Sequence, residues 1–209
     1  MINSPLVMIG AGGHAAVCFD VLVKNQQNKN LLGVITPDIE AGSYWQPLNL
    51  VSLGNDKNGL ALINSNDSIG FINGCGFLPR NSLRYRLYQE YKSKGASFTT
   101  LIHPSAIVSH YANLSEGVQV MAGACLQVGC DINQNTIINT RAVVEHHVSI
   151  GAHCHIAPGS IICGDTVVKD HVFIGAGAVI LQGITIGTGA IIGAGVTVKS
   201  DVAEKAILK

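Results

Sequence analysis

The chain has 209 residues, and its 13 basic and 13 acidic side chains cancel to a formal net charge of zero. That balance, with no basic run, excludes a phosphate-backbone footprint and hence a nucleic-acid binder; no apolar run approaches the roughly 18 residues of a bilayer span, which excludes a membrane helix. Charged residues make up only 12% and aromatics 5%, against 24 glycines, a mix that argues against disorder and for closely stacked backbone with small side chains.

From the N-terminus to about residue 100, apolar runs alternate with helix-like stretches. "PLVMIG" reads as a buried strand. "HAAVCFDVLVKN" reads as a helix with Val17, Val21 and Leu22 on one stripe. "LLGVIT" and "SIGFING" read as further strands. "PRNSLRYRLYQEYKSKG" reads as a helix with Pro79 near its start and Gly95 just past its end. "ASFTTLI" is extended again. Strand–helix alternation predicts a small parallel α/β sheet over residues 1–100. Within it "IGAGGHA" follows a strand and opens a helix, the context of a phosphate-cradling loop. Gly10, Gly12, Gly13 and His14 are the candidate ligands, with Ala15 at the third fingerprint position. The unit is short for a full dinucleotide domain. "NGCGF" at 73–77 and Arg80 are further candidates for the same pocket.

From Leu101 the texture changes. Cut in sixes from there, the second position is Ile, Leu or Val in all seventeen hexads to residue 202, and the sixth is small or β-branched in each. Such a phase predicts a parallel β-helix with an aliphatic ladder inside and Gly, Asn or Asp at its corners. Three hexads make one triangular coil, so residues 101–209 hold between five and six coils. The six cysteines, Cys18, Cys75, Cys125, Cys130, Cys154 and Cys163, form no CxxC pair and are expected to be reduced, in the cytoplasm.

"VVEHHVSIGAHCHIA" carries four histidines. The phase places Val144, Ile150 and Ile156 inward, His146, His147 and His153 at corners, and His155 on an outward site. His153 and His171 read as solvated turn residues; His147 reads either way. Zinc needs three or four converging ligands, and the five-residue ligand spacing of β-helix carbonic anhydrases is absent, so no metal is expected.

The hexads resemble the left-handed β-helix of hexapeptide-repeat acyltransferases, and "INTRAVVEHHVSIGAHCH" resembles the active-site stretch of bacterial sugar acetyltransferases with an N-terminal nucleotide-binding domain. These include N-acetyltransferases of nucleotide-linked 4-amino-6-deoxy sugars and sialic-acid O-acetyltransferase-like proteins. Asn139, Thr140, His146 and His155 match the pattern; His147 departs from it, since an acid usually stands there. "MIGAGGHAAVCFDVL" and "TTLIHPSAIVS" extend the likeness over nearly the whole chain.

The resemblance implies acetyl-CoA as co-substrate, a nucleotide-linked amino sugar as acceptor and a homotrimer with active sites between subunits. It implies His146 as general base, His155 near the thioester, and Gly164, Gly175 and Ala176 along the pantetheine arm, although small residues also simply fit tight corners. For the first unit the resemblance implies a nucleotide-sugar diphosphate as the ligand, and Asp38 in "VITPDIE" is a candidate nucleoside contact only by that resemblance, in which an acidic pair follows the second strand. Asn139 is expected to position the base or the sugar; Glu145 is the adjacent acid that could substitute for the missing one, but neighbours on a strand point to opposite faces. The expected activity is N-acetylation of the amino group, at C4, of a nucleotide-linked deoxy sugar for a bacterial surface glycan. Sugar O-acetylation is the alternative within enzymes, and a non-catalytic sugar-nucleotide scaffold the alternative outside them.

Overall fold

The computed structural model describes residues 4–37, 50–63, 68–79 and 81–209. Asp38 and Arg80 lie outside the described residues. The chain divides into two compact units, Met1–Thr99 and Thr100–Lys209.

In the first unit the apolar runs become strands β1 (Leu6–Ile9), β2 (Leu31–Ile35), β3 (Gly70–Asn73) and β4 (Ser97–Phe98). Helices α1 (Gly13–Lys24), α2 (Asp56–Leu62) and α3 (Leu83–Ser93) fall between them. The sheet order is β2-β1-β3-β4, all parallel. Val7, Ile9, Ile35 and Phe71 pack with Leu87, Tyr88 and Tyr91 of α3 as its core. Phe71 meets the Tyr91 ring edge-on at 5.3 Å. The expected α1 stripe is corrected by one position: Val17 is 43% exposed, and Ala15, Cys18, Val21 and Leu22 face inward. Helix α2 has no counterpart in the sequence reading. Asn55 and Asn58 cap it reciprocally, each side chain serving the other's backbone N–H.

The order 2-1-3 matters for function. The chain leaves β1 towards β2 on one side and returns to β3 on the other, so the carboxyl end of β1 is the point where the strand order reverses. Ligands of open parallel sheets bind at such points.

The second unit is a left-handed β-helix, built as the hexads require. Two-residue strands form three parallel sheets of five, seven and six strands. Asp131 pairs with Ser149, Ile137 with His155 and Val143 with Ile161, each partner lying one full coil further along the chain. The second hexad positions, Val120, Ile138, Ile156 and Ile174 among them, are fully buried in one ladder. Equivalent corners of successive coils hold left-handed backbone, as at Gly129, His147, Asp165 and Gly183. The phase shortens once. Ile186 bridges to Val202 and Ile191 pairs with Ile207, so the last coil closes early. Val202 thereby takes the inward place that a strict repeat of three hexads would give to Glu204. Among the described residues no helix is long and apolar enough to cross a membrane.

Candidate active site

His146 and His147 lie on the corner between the strand Val143–Val144 and the strand Ser149–Ile150. His147 has φ +56°, a left-handed conformation that turns the chain there. Its Nδ1 is 3.1 Å from Nδ1 of His146, a distance at which one ring donates its Nδ1–H to the other. His146 is half-buried and His147 exposed. The His146 ring lies over Gly164 of the next coil: a methyl group at Gly164 would stand 2.5 Å from Cε1 and 2.6 Å from Nε2. Gly164 is thus the seat of that imidazole.

The same corner of the next coil brings up Asp165, with φ +58°, whose N–H donates to the His146 carbonyl at 3.0 Å. His146, His147 and Asp165 each offer a ligand atom, and these atoms lie within 4.8 Å of one another. No other set of three histidine, cysteine or acidic donors is so close among the described residues. Glu145, the acid that the sequence offered as a substitute, is not in this set. Asp165 escaped the sequence reading, yet the coil repeat points to it, since it stands one full coil after His147. Two imidazoles and a carboxylate are donors that a divalent cation accepts. If the acetyl transfer that the family resemblance implies needs only proton transfer, dialysis against EDTA is expected to leave its rate within about twofold. A loss restored by zinc would reverse that expectation.

His155 belongs to a different place on the coil. It starts the strand His155–Ile156 and is 8% exposed. Asn139, just past the strand Ile137–Ile138 that pairs with it, reaches it: Asn139 Nδ2 donates to His155 Nε2 at 3.1 Å. The amide is oriented by the Thr140 N–H, which donates to Asn139 Oδ1 at 2.7 Å. With Nε2 accepting, the neutral ring carries its proton on Nδ1. Phe173, on the next coil, meets the ring edge-on at 5.4 Å. Asn139 is therefore brought to His155 within the chain.

The other predicted residues sort as follows. Gly175 faces the backbone of the following coil, where a methyl group would meet Ala194 N at 2.5 Å; Ala176 beside it is exposed. His153 is corrected from solvated to buried. It is 6% exposed, bonded to Asn135 at 3.0 Å and stacked on His171 at 5.1 Å, so it is part of a corner ladder. All six cysteines are free. Burial pushes the Cys18 and Cys154 thiols up to about 12, which makes them inert at neutral pH.

In the first unit Gly10, with φ +89°, ends β1 and donates to the Ile35 carbonyl at 2.9 Å. Gly12 and Gly13, both exposed, lead into α1, and His14 follows within its first turn. The loop at 73–77 packs on them: Gly74 donates to the Ile9 carbonyl, and Gly76 lies against the His14 side chain. Arg84 is the peg beneath this loop, a residue that the sequence reading missed. It is 3% exposed, and its Nη1 donates to the carbonyls of Asn73 at 2.8 Å and Cys75 at 2.7 Å. Burial lowers its pKa to about 10, so it remains cationic at neutrality.

Residues 165–200 match the family described as bacterial transferase hexapeptide (six repeats). The whole chain is similar to the Caulobacter crescentus perosamine N-acetyltransferase PerB, solved with CoA and GDP-perosamine, at 32% identity over 97% of this chain and 92% of that one, with a TM-score of 0.85. It is also similar to the acetyltransferase domain of PglB from Neisseria gonorrhoeae, at 28% identity over 96% and 93%, with a TM-score of 0.82. A curated relative, GDP-perosamine N-acetyltransferase of Escherichia coli O157:H7, is 29% identical over 107 residues, 51% of this chain and 48% of that protein. The match thus spans about half the length of that relative.

Proposed function

Because this chain belongs to the bacterial hexapeptide-repeat transferases, we propose that it transfers the acetyl group of acetyl-CoA to an amino group, at C4, of a nucleotide-linked deoxy sugar. The observation that carries this reading is the end-to-end likeness to a perosamine N-acetyltransferase solved with both of its ligands. The residues supply a consistent chemistry. The sugar amine attacks the acetyl carbonyl carbon, the C–N bond forms, and Nε2 of His146 takes the amine proton. The C–S bond then breaks, and the thiolate of CoA leaves with that proton. General-base help of this kind contributes about 10²–10⁴-fold. His155, whose Nε2 accepts from Asn139, is assigned to acetyl-CoA binding near the thioester.

His146 and His155 occupy different turns of one coil, a corner and a sheet face, so we place them in one active site by combining copies of the chain. The sheet between them supports this. Its outward positions Ile107, Cys125, Val143, Ile161 and Val179 form an apolar stripe, with Ile107 69% and Ile161 38% exposed. Such a stripe is suited to burial against further copies, as a homotrimer. The glycine loop at 10–13, with His14 and the loop at 73–77, is the proposed seat of the nucleotide diphosphate, at the carboxyl end of β1 where the strand order reverses. Gly164, Gly175 and Ala176 lie on the coils along which CoA would run. A cytoplasmic reaction is the natural setting for both soluble substrates.

The test is release of CoA thiol from acetyl-CoA, with UDP-, dTDP- and GDP-linked 4-amino-4,6-dideoxy sugars supplied one at a time. Release with one of them is expected. Release only with hydroxyl acceptors would overturn the N-acetyl reading in favour of O-acetylation, and binding without any release would favour the scaffold.

A further inference from the structure

The pattern that this chain resembles puts an acid directly after the base, and here that place holds His147. The geometry points to Asp165, carried on the next coil, as the carboxylate of this site: together with His147 it frames His146, and its charge stabilises the ring while it holds the proton. This rests on the reading of His146 as base.

Three observations carry it. First, the donors of His146, His147 and Asp165 lie within 4.8 Å of one another, although the histidines and the acid come from successive coils. Second, the arrangement is built into the coil. Asp165 N–H holds the His146 carbonyl at 3.0 Å, and both His147 and Asp165 occupy the left-handed corner, which fixes where their side chains start. Third, Gly164, with no side chain of its own, leaves room for the His146 ring beside this corner. His147 is already joined to His146 through the 3.1 Å Nδ1 pair. A neutral imidazole cannot balance the positive charge that His146 gains on taking a proton; a carboxylate does. Asp165 is therefore a positioning residue, acting through the imidazole pair. Around His146, its own coil contributes the titratable groups Glu145 and His147, and the next coil Cys163 and Asp165. The preceding coil presents Gln127, Val128 and Gly129, none of which is charged.

Asp165→Asn is the test, because asparagine has the same shape and also tolerates left-handed backbone, so the corner is kept and only the charge is lost. The expected result is a fall in kcat of about tenfold with the KM for acetyl-CoA unchanged, an effect kept modest by the exposure of the group. Adding His147→Asp to Asp165→Asn moves the acid to the neighbouring position and is expected to restore most of the rate. An activity-independent measurement accompanies these. Carbethoxylation of His146, read by peptide fragmentation, requires the neutral ring, so removal of the nearby negative charge is expected to move its onset to lower pH. A kcat within twofold of wild type together with an unmoved carbethoxylation profile would overturn the proposal, and so would a loss of rate that His147→Asp does not restore while the profile stays put. If the wild type transfers acetyl to no amine, the function reading fails by itself, and the carbethoxylation profile still decides the role of Asp165.

Discussion

Replacing His146 by alanine is expected to lower kcat/KM for acetyl transfer by about 10²–10⁴-fold, the usual worth of a positioned general base, with little change in thermal stability. The stability side follows from where the ring sits. Val144 and Val148 on either side of the corner are fully buried in the ladder, whereas the His146 imidazole is outside it, resting on Gly164. Truncation therefore opens a surface notch and leaves no core cavity. The activity side follows from the chemistry, since no other imidazole stands on this corner except His147, whose Nδ1 is already engaged with His146. His146→Gln keeps the bulk and loses the proton acceptor, so it should be as slow as the alanine variant. Imidazole added to the alanine variant should restore part of the rate. Full activity in His146→Ala would leave the reaction in place and remove the base assignment. Full loss accompanied by unfolding would make the residue structural.

The β-helix was legible in the sequence because a solenoid makes its core local: each inward residue is defined by its phase within one hexad, and long-range pairing follows at the coil repeat. What the phase does not encode is how successive corners cover one another. His153 reads as an exposed corner by phase, but Asn135 beneath it and His171 above enclose it. Asp165 was missed for the same reason, since its meaning appears only when the corner of one coil is laid on the next. The shortened last coil was hidden because Val202 also closes the seventeenth hexad and so satisfies both registers. In the first unit the strands were legible as apolar runs, while α2, at 7 residues, is too short to show a helical period and is set by the Asn55–Asn58 caps. Arg84 sits in a helix whose mean character is polar, and nothing local marks it as buried; only the carbonyls of Asn73 and Cys75, brought over it by the fold, explain its place. His146 and His155 were legible through family resemblance, whereas the contact that gives Asn139 its partner needed the pairing of Ile137 with His155.

The same substitution at two glycines of the β-helix should have opposite consequences. At Gly175 the new methyl group would stand 2.5 Å from Ala194 N and 2.6 Å from Gly193 C, both backbone atoms of the following coil. That backbone is fixed by the ladder, including the Gly175 N–H to Ile192 carbonyl bond at 2.8 Å, so neither side can yield without breaking the stack. Gly175→Ala is expected to cost about 3 kcal/mol, at the upper end of overpacking, and to lower Tm by about 6–12 °C for a chain of this size. At Gly164 the methyl group would meet the His146 ring at 2.5 Å, and that ring is the end of a half-buried side chain that can swing outward. Gly164→Ala should therefore keep Tm within about 2 °C, because surface adjustments of this kind stay near about 0.5 kcal/mol. It should nevertheless lose about 10²-fold in kcat, the effect of moving a reacting group by about 1 Å. The resemblance places both glycines along the path of CoA, and the comparison separates that role from the steric one. If Gly175→Ala raised the KM for acetyl-CoA with Tm unchanged, its task would be ligand approach. If Gly164→Ala kept full kcat, the seat under the imidazole would not be needed to aim the base.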